Sequence, residues 1–444
     1  MTESSQTLPS SKADGPLHGV RGVVLTQVWA GTFAMQLLAL LGAEIIHVES
    51  RQRVDPFRGG SWEASIPTQL RERPSAQHPW NLGMFNSVNL NKKSVTLDLN
   101  RPEGKNLFLD LLKSADFFVE NFSPRVMKNF HLEYEDLIAV KPDLIVVNQG
   151  AFGHRGVYWN APGTGGQVEP MAGGTELLGY EDDDPIGSGT LWCDPVSGYH
   201  TAAAVLTALY YRDRSGKGQQ VDVSMQECNA LFHADALMQF SLGGGVRRRT
   251  GNHHIQFAPH NIYACADGKW LALAVRSEDE WANFCRLSGH EAWLADSRFA
   301  SMAERKRNES ELDQLISGWC RDQDADRLEQ LLSPVLPAAK VRGPTDMRLD
   351  LGYLRERGFV ATVEHREAGP IDQLTTPYHL SRSNVQVRPA PTHGEHSWEV
   401  LSSLLGLSRE EYEKLVADGI TGEGPPPEWA PGSNIGRSVP PGVR

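Results

Sequence analysis

The chain has 444 residues, 40% hydrophobic and 22% charged, the balance of a soluble globular enzyme rather than a disordered or fibrous chain. Its 43 basic and 55 acidic side chains leave a net charge of −12, which speaks against nucleic acid as a partner because phosphate backbones call for a basic surface. At ~100–200 residues per domain, the length implies two or three domains and ample core.

Met1 to Gly15 is polar and lacks an apolar stretch, so a secretory leader is not expected and these residues read as a disordered start (1–15). Val23-Val24-Leu25 reads as a buried strand, Thr32 to Leu41 as a helix closed by Gly42, and Ile45 to Val48 as a second strand. Strand, helix and strand in so short a span make a βαβ unit, hence a parallel sheet with right-handed crossovers. Ser94 to Leu99, Asp116 to Glu120, Leu144 to Asn148 and Val221 to Ser224 read as further strands. They alternate with helices from Pro102, around Tyr134 to Val140, and over Thr201 to Arg212. This is an open α/β domain over residues 16–235. Gly243-Gly244-Gly245 and Arg247-Arg248-Arg249 mark a connector (236–254). A smaller α/β domain (255–335) follows, with a hairpin at Asp267-Gly268 and capping boxes at Ser277/Glu280 and Asn308/Glu311. Residues 336–420 hold strand- and loop-like sequence and a last capping box at Ser408/Glu411. The Pro- and Gly-rich tail (421–444) is expected to lack fixed structure. No uncharged run approaches the ~20 residues of a membrane span, so the chain is expected to be cytoplasmic, with no membrane partner.

The general chemistry motifs mostly exclude. Gln27 to Phe33 holds one glycine, Gly31, where a dinucleotide fold needs three, so NAD is not expected. Neither a P-loop nor G-x-S-x-G occurs. The five cysteines (Cys193, Cys228, Cys265, Cys285, Cys320) form no C-x-x-C pair. His253, His254 and His260, or His393 and His396, lack metal-ligand spacing, so no metal is expected. Patterning by itself stops at a soluble α/β enzyme.

Several segments read together go further. "GVRGVVLTQVWAGTFAMQLLALLGAEIIHVE", "FNSVNLNKKSVTLDLNRPEGKNLFLDLLKSADFFVENFSP", "PDLIVVNQGAFG", "LTALYYRDRSGKGQQVDVSMQE" and "PAPTHGEHSWEVL" resemble the family III CoA-transferases, which include formyl-CoA and carnitine CoA-transferases, with the α-methylacyl-CoA racemases as relatives. The resemblance covers roughly residues 16–420. It implies a Rossmann-like parallel-sheet domain built from both chain ends, with residues 336–420 returning to it, and a smaller central α/β domain. It also implies an interlocked dimer, either of identical chains or with a related chain. Coenzyme A, carried as acyl-CoA, and a carboxylic acid would be the substrates. Position by position, the coenzyme site maps onto Val28, Trp29 and Ala30; Leu97, Asp98, Leu99 and Asn100; Asn121, Phe122 and Ser123; and Gly150, Ala151, Phe152 and Gly153. Family arginines are replaced by Ser50 and Asn129, with Arg51 and Arg125 close enough to substitute.

The same resemblance locates a departure. The family nucleophile is an aspartate that attacks the thioester and then carries CoA as an enzyme thioester. In "APGTGGQVEPMAGGT" its position is Gly165, and Glu169 follows one helical turn later. The racemase branch pairs a histidine with a later aspartate; these positions are Thr164 and Asp194. Glu169 and Asp194 are therefore the candidate catalytic carboxylates, and Gly165→Asp is expected to create or raise transfer. Three readings stay open: a CoA-transferase, acting alone or as the aspartate-lacking chain of a two-subunit enzyme; an acyl-CoA isomerase, racemase or lyase; and a noncatalytic acyl-CoA-binding subunit.

Overall fold

The computed structural model describes residues 15–58, 84–343, 351–383 and 385–426. Its central sheet has six strands: β1 (Arg21–Leu25), β2 (Glu44–Glu49), β3 (Lys92–Thr96), β4 (Phe117–Glu120), β5 (Ile145–Gly150) and β6 (Gln220–Ser224). They lie in the order β3-β2-β1-β4-β5-β6, all parallel. The order reverses between β1 and β4, and in such sheets ligands bind beyond the carboxyl ends of the strands at that switch.

Alternation along each strand feeds two cores. Val23, Val48 and Phe118 face one, with Phe108, Leu111 and, from the C-terminal helices, Val400, Leu401 and Tyr412. Val24, Ile45, Phe117 and Val147 face the other, with Met35, Leu38 and Val205. Burial of both faces explains why β1 and β5 read as continuous apolar runs. Phe118 is fully buried with its ring 5.7 Å from that of Phe108. Phe118→Ala is expected to lower stability by about 3–5 kcal/mol in urea unfolding.

Helix α1 (Ala30–Ala39) leaves the β1 turn, and α2 (Pro102–Leu112), α3 (Pro124–Phe130) and α4 (Tyr134–Val140) follow β3 and β4. The short helix α5 (Gly165–Met171) opens on a Thr164–Gln167 capping box. Helix α6 spans Cys193–Ser215, beginning eight residues before the Thr201 start expected from sequence. Pro195 and Gly198 argue against helix there, yet both fit. The missing N–H of Pro195 falls in the first turn, where no intrahelical partner exists. Gly198 lets α6 approach the β1–α1 turn: a Cβ there would stand 2.9 Å from Phe33 Cδ1 and 3.0 Å from the Ala30 carbonyl oxygen.

The chain divides into two compact units, one of Met1–Gly174, Gly189–Asp235 and Leu354–Arg444, the other of Thr175–Ser188 and Ala236–Tyr353. The second is thus wider than the 255–335 read from sequence, and part of the connector is helical (Ala234–Ser241). It contains the antiparallel hairpin His260–Ala264 and Trp270–Ala274, turned at Gly268 with φ 73°, and a third strand, Ala338–Lys340. Ser277 and Ser408 cap their helices as expected, whereas Asn308 makes no side-chain cap and donates to the Arg298 and Glu304 carbonyls. The tail packs further than its composition implies. Thr421 is fully buried and Thr96 Oγ1 donates to the Gly422 carbonyl at 2.6 Å. The rest of the tail, 427–444, and residues 1–14 lie outside the described residues.

Candidate functional site

The β1–α1 turn is held from several sides. Val28 has φ 61°, a left-handed conformation that costs a β-branched residue about 1–3 kcal/mol. Its N–H donates to both oxygens of Asp55, at 3.1 and 3.3 Å. Asn121 receives the Gln27 N–H at 2.8 Å and donates to the Gln27 carbonyl at 2.9 Å. His47 Nε2 lies 2.6 Å from the Thr26 carbonyl, and the Lys92 ammonium donates to the Thr32 carbonyl at 2.7 Å. Beneath the turn, the Arg58 guanidinium grips Glu49 at 2.6 and 2.8 Å and lies 3.5 Å over the Phe85 ring. Burial by itself raises the Glu49 carboxyl, but Arg58, His393 and His47 hold it far below the usual range. Burial pushes Asp55 up to about 7, despite the N–H groups of Phe57 and Val28.

A cavity of about 420 Å³ opens at the carboxyl ends of β1–β4. Leu97, Leu99, Asn100 and Phe122, all expected at the coenzyme site, line it together with Leu25, Gln27 and Asn129. Asp98 is instead turned to Asn100, accepting its backbone and side-chain N–H groups at 3.1 Å, and Ser123 stands at the start of α3 without a side-chain cap. Arg51 does not take the expected place at the cavity wall: its guanidinium donates to the carbonyls of Gly424 and Thr421 at 2.8 and 3.0 Å. The cation lining the cavity is Arg53, which sequence reading passed over. Its signal is the Ser50 hydroxyl, which turns the chain by accepting the Arg53 N–H at 3.1 Å. Arg125 is exposed.

The segment after β5 meets a different group. Ala151 and Phe152 pack with Ala30, Val168, Cys193 and Met225, and Gly150 leads to Gly153, which takes φ 73°. This apolar cluster adjoins Gly165. A Cβ added at Gly165 would lie 2.3 Å from Asp194 Oδ2, 3.1 Å from Cys193 Sγ and 3.2 Å from Leu191 Cβ. The Asp194 carboxylate therefore occupies the space a side chain at 165 would enter. It stands in the first turn of α6, four residues before Gly198 and on the same face, so the close approach at Gly198 brings it to the β1–α1 turn. Burial raises the Asp194 carboxyl to about 6, with the Cys193 thiol and the Ala30 N–H pulling the other way. Burial also pushes the Cys193 thiol up to about 12, helped by the charges of Asp194 and Glu169, so it is not a nucleophile at neutral pH. Glu169, the other candidate carboxylate, is buried on α5.

His154 stands between two other carboxylates, 3.6 Å from Glu120 and 3.4 Å from Asp222. Burial raises Glu120 to about 7 against hydrogen bonds from Asn148 and Phe122. Among the described residues, three acids close enough to share a metal are Asp267, Asp324 and Asp326, and Asp326 is already paired with Lys269 and Lys340.

A parallel sheet with a cavity at its switch point and a buried carboxylate beside the β1–α1 turn is the arrangement of an α/β protein that holds a ligand at the carboxyl ends of its strands. The chain belongs to CoA-transferase family III, whose model matches residues 17–397. It is 31% identical to a succinyl-CoA–D-citramalate CoA-transferase from Chloroflexus aurantiacus over 412 residues, 92% of this chain and 99% of that one. It is 28% identical to the beta subunit of a succinyl-CoA–L-malate CoA-transferase from the same organism, over 90% of this chain and 96% of that one. The fold superposes on a CaiB/BaiF family protein from Brucella suis with a TM-score of 0.79 and 28% identity, covering 88% of this chain and all of that one.

Proposed function

We propose that this enzyme moves CoA from an acyl-CoA to a dicarboxylic acid, with Asp194 supplying the carboxylate that the family places at 165. The observation that carries this is the 2.3 Å between Asp194 Oδ2 and the point where a Cβ at 165 would stand. The activities of the two relatives, succinyl-CoA with citramalate or malate, support a short dicarboxylate acceptor.

The steps follow from a carboxylate nucleophile. An Asp194 oxygen attacks the thioester carbonyl and expels the CoA thiolate, leaving a mixed anhydride. The thiolate attacks the Asp194 carbonyl of that anhydride, releasing the donor acid and forming an enzyme thioester. The acceptor carboxylate repeats the sequence in reverse and leaves as acyl-CoA. With its carboxyl near 6, Asp194 is mostly ionised at neutral pH while shielded from water, which suits a nucleophile. The cavity lined by Leu97, Leu99, Phe122 and Arg53 suits the coenzyme, its one exposed guanidinium meeting a phosphate. Glu169 bears on the neighbouring Cys193 thiol rather than attacking, so Glu169→Gln is expected to slow transfer about tenfold or less.

The experiment is an acyl-exchange assay: succinyl-CoA with excess malate, citramalate or glutarate, products separated by chromatography. A new acyl-CoA formed in step with succinate release is expected. Hydrolysis alone, or α-hydrogen exchange in heavy water without CoA transfer, would contradict the reading.

Association with another chain, the same or a related one, is supported by helix Ala234–Ser241. None of its residues is buried, and Leu237, Met238 and Phe240 are each more than half exposed. The described cysteines are free thiols, which supports a reducing, cytoplasmic setting. No described helix is long and apolar enough to cross a membrane.

A further inference from the structure

Asp55 lies outside the chemistry above, yet it is almost fully buried and spends both carboxylate oxygens on backbone N–H groups. Oδ1 accepts from Phe57 at 2.8 Å, which closes its own loop, and both oxygens face the Val28 N–H. Val28 is a β-branched residue at φ 61°, a conformation that glycine adopts freely and valine avoids. Two residues on, Ala30 packs in the same cluster as Cys193, and its carbonyl would stand 3.0 Å from a Cβ at Gly198, one turn along α6 from Asp194; the Ala30 N–H correspondingly favours the ionised Asp194 carboxylate. The direction of that N–H is set by the backbone dihedrals of the residues before it, and the unfavourable one among them is held from Asp55.

We propose that Asp55 is a positioning residue: by receiving the Val28 N–H it keeps Val28 left-handed and thereby aims the Ala30 N–H at the Asp194 carboxylate. The proposal rests on Asp194 being the working carboxylate. Asp55 also faces the Lys92 ammonium and the Arg58 guanidinium, so a merely structural role as their counter-charge is the competing explanation.

The two explanations part at residue 28. A counter-charge role is indifferent to which residue stands there, whereas a clamp on strained backbone becomes dispensable once the strain is gone. Asp55→Ala is expected to lower kcat about 100-fold, the order seen when a reacting group is displaced by about 1 Å. KM for acyl-CoA should change much less. The acid limb of the kcat profile should move to higher pH, because the Ala30 N–H favours ionised Asp194; the neighbouring Cys193 and Glu169 are unchanged in the variant. Adding Val28→Gly to Asp55→Ala should recover about tenfold or more of kcat and return the acid limb. A folded Asp55→Ala protein with native kcat and acid limb overturns the proposal. So does a double variant no better than the single one, which leaves the counter-charge role. Should Asp55→Ala not fold, Asp55→Asn, which retains one acceptor oxygen, takes its place with and without Val28→Gly, judged by the same two criteria. Asp194→Asn assayed alongside separates the two failures. If it keeps native turnover, the Asp194 reading has failed; if it is inactive while Asp55→Ala is native, only the positioning role has failed.

Discussion

Asp194→Asn is expected to lower CoA transfer by at least about a thousandfold while leaving the protein folded. Asparagine has nearly the shape of aspartate and keeps an oxygen for the Ala30 N–H, but its amide does not form an anhydride. The native enzyme should lose activity as pH falls through about 6, where Asp194 takes up its proton, and show no further gain from that group well above it. Stability runs the other way. A carboxyl raised from 3.8 to about 6 binds its proton more tightly in the folded than in the unfolded state. Its contribution is therefore favourable at low pH and is lost as pH rises through that window, by about 3 kcal/mol at most. Asp194→Asn should flatten that part of the pH–stability curve in urea titrations from pH 4 to 7, the same variant that abolishes turnover.

The second large effect is at Gly165. Restoring the family residue by Gly165→Asp, which sequence alone expects to help, should instead inactivate the enzyme about 100-fold or more. The added Cβ enters the space of a buried, short carboxylate, and two like charges then compete for one site. Gly165→Ala isolates the steric part and should cost about 1–3 kcal/mol of stability. The informative protein is the exchange, Gly165→Asp with Asp194→Gly, which moves the carboxylate back across the same space. It should transfer CoA at least about tenfold faster than either single variant, a coupling that a double-mutant cycle reads directly. Additive losses would mean that the two positions do not share one site.

Much of the sheet is legible in the chain because its physics is local and repetitive. Doubly buried strands demand runs such as Val23-Val24-Leu25, and Pro102 marks the start of the helix after β3. The resemblance to the transferases drew attention to Gly165, and four of the residues it singled out, Leu97, Leu99, Asn100 and Phe122, line one cavity. What stayed hidden depends on the third dimension. Nothing along the chain says that α6 begins at Cys193, because Pro195 and Gly198 look like helix breakers until the Ala30 carbonyl is seen against Gly198. Without that approach Asp194 reads as a loop residue rather than the carboxylate beside Gly165. Arg51 and Arg53 are equally placed by sequence, and only the carbonyls of Thr421 and Gly424, 370 and 373 residues away, decide which one the cavity keeps.

Mixing the enzyme with acyl-CoA in the absence of acceptor, quenching with hydroxylamine and mapping the modified peptide by mass spectrometry addresses the chemistry most directly. A hydroxamate on Asp194 is the predicted product, since both the anhydride and the enzyme thioester are cleaved to it. A hydroxamate on Glu169, or none at all from an enzyme that transfers CoA at full rate, would contradict the assignment of the nucleophile to Asp194.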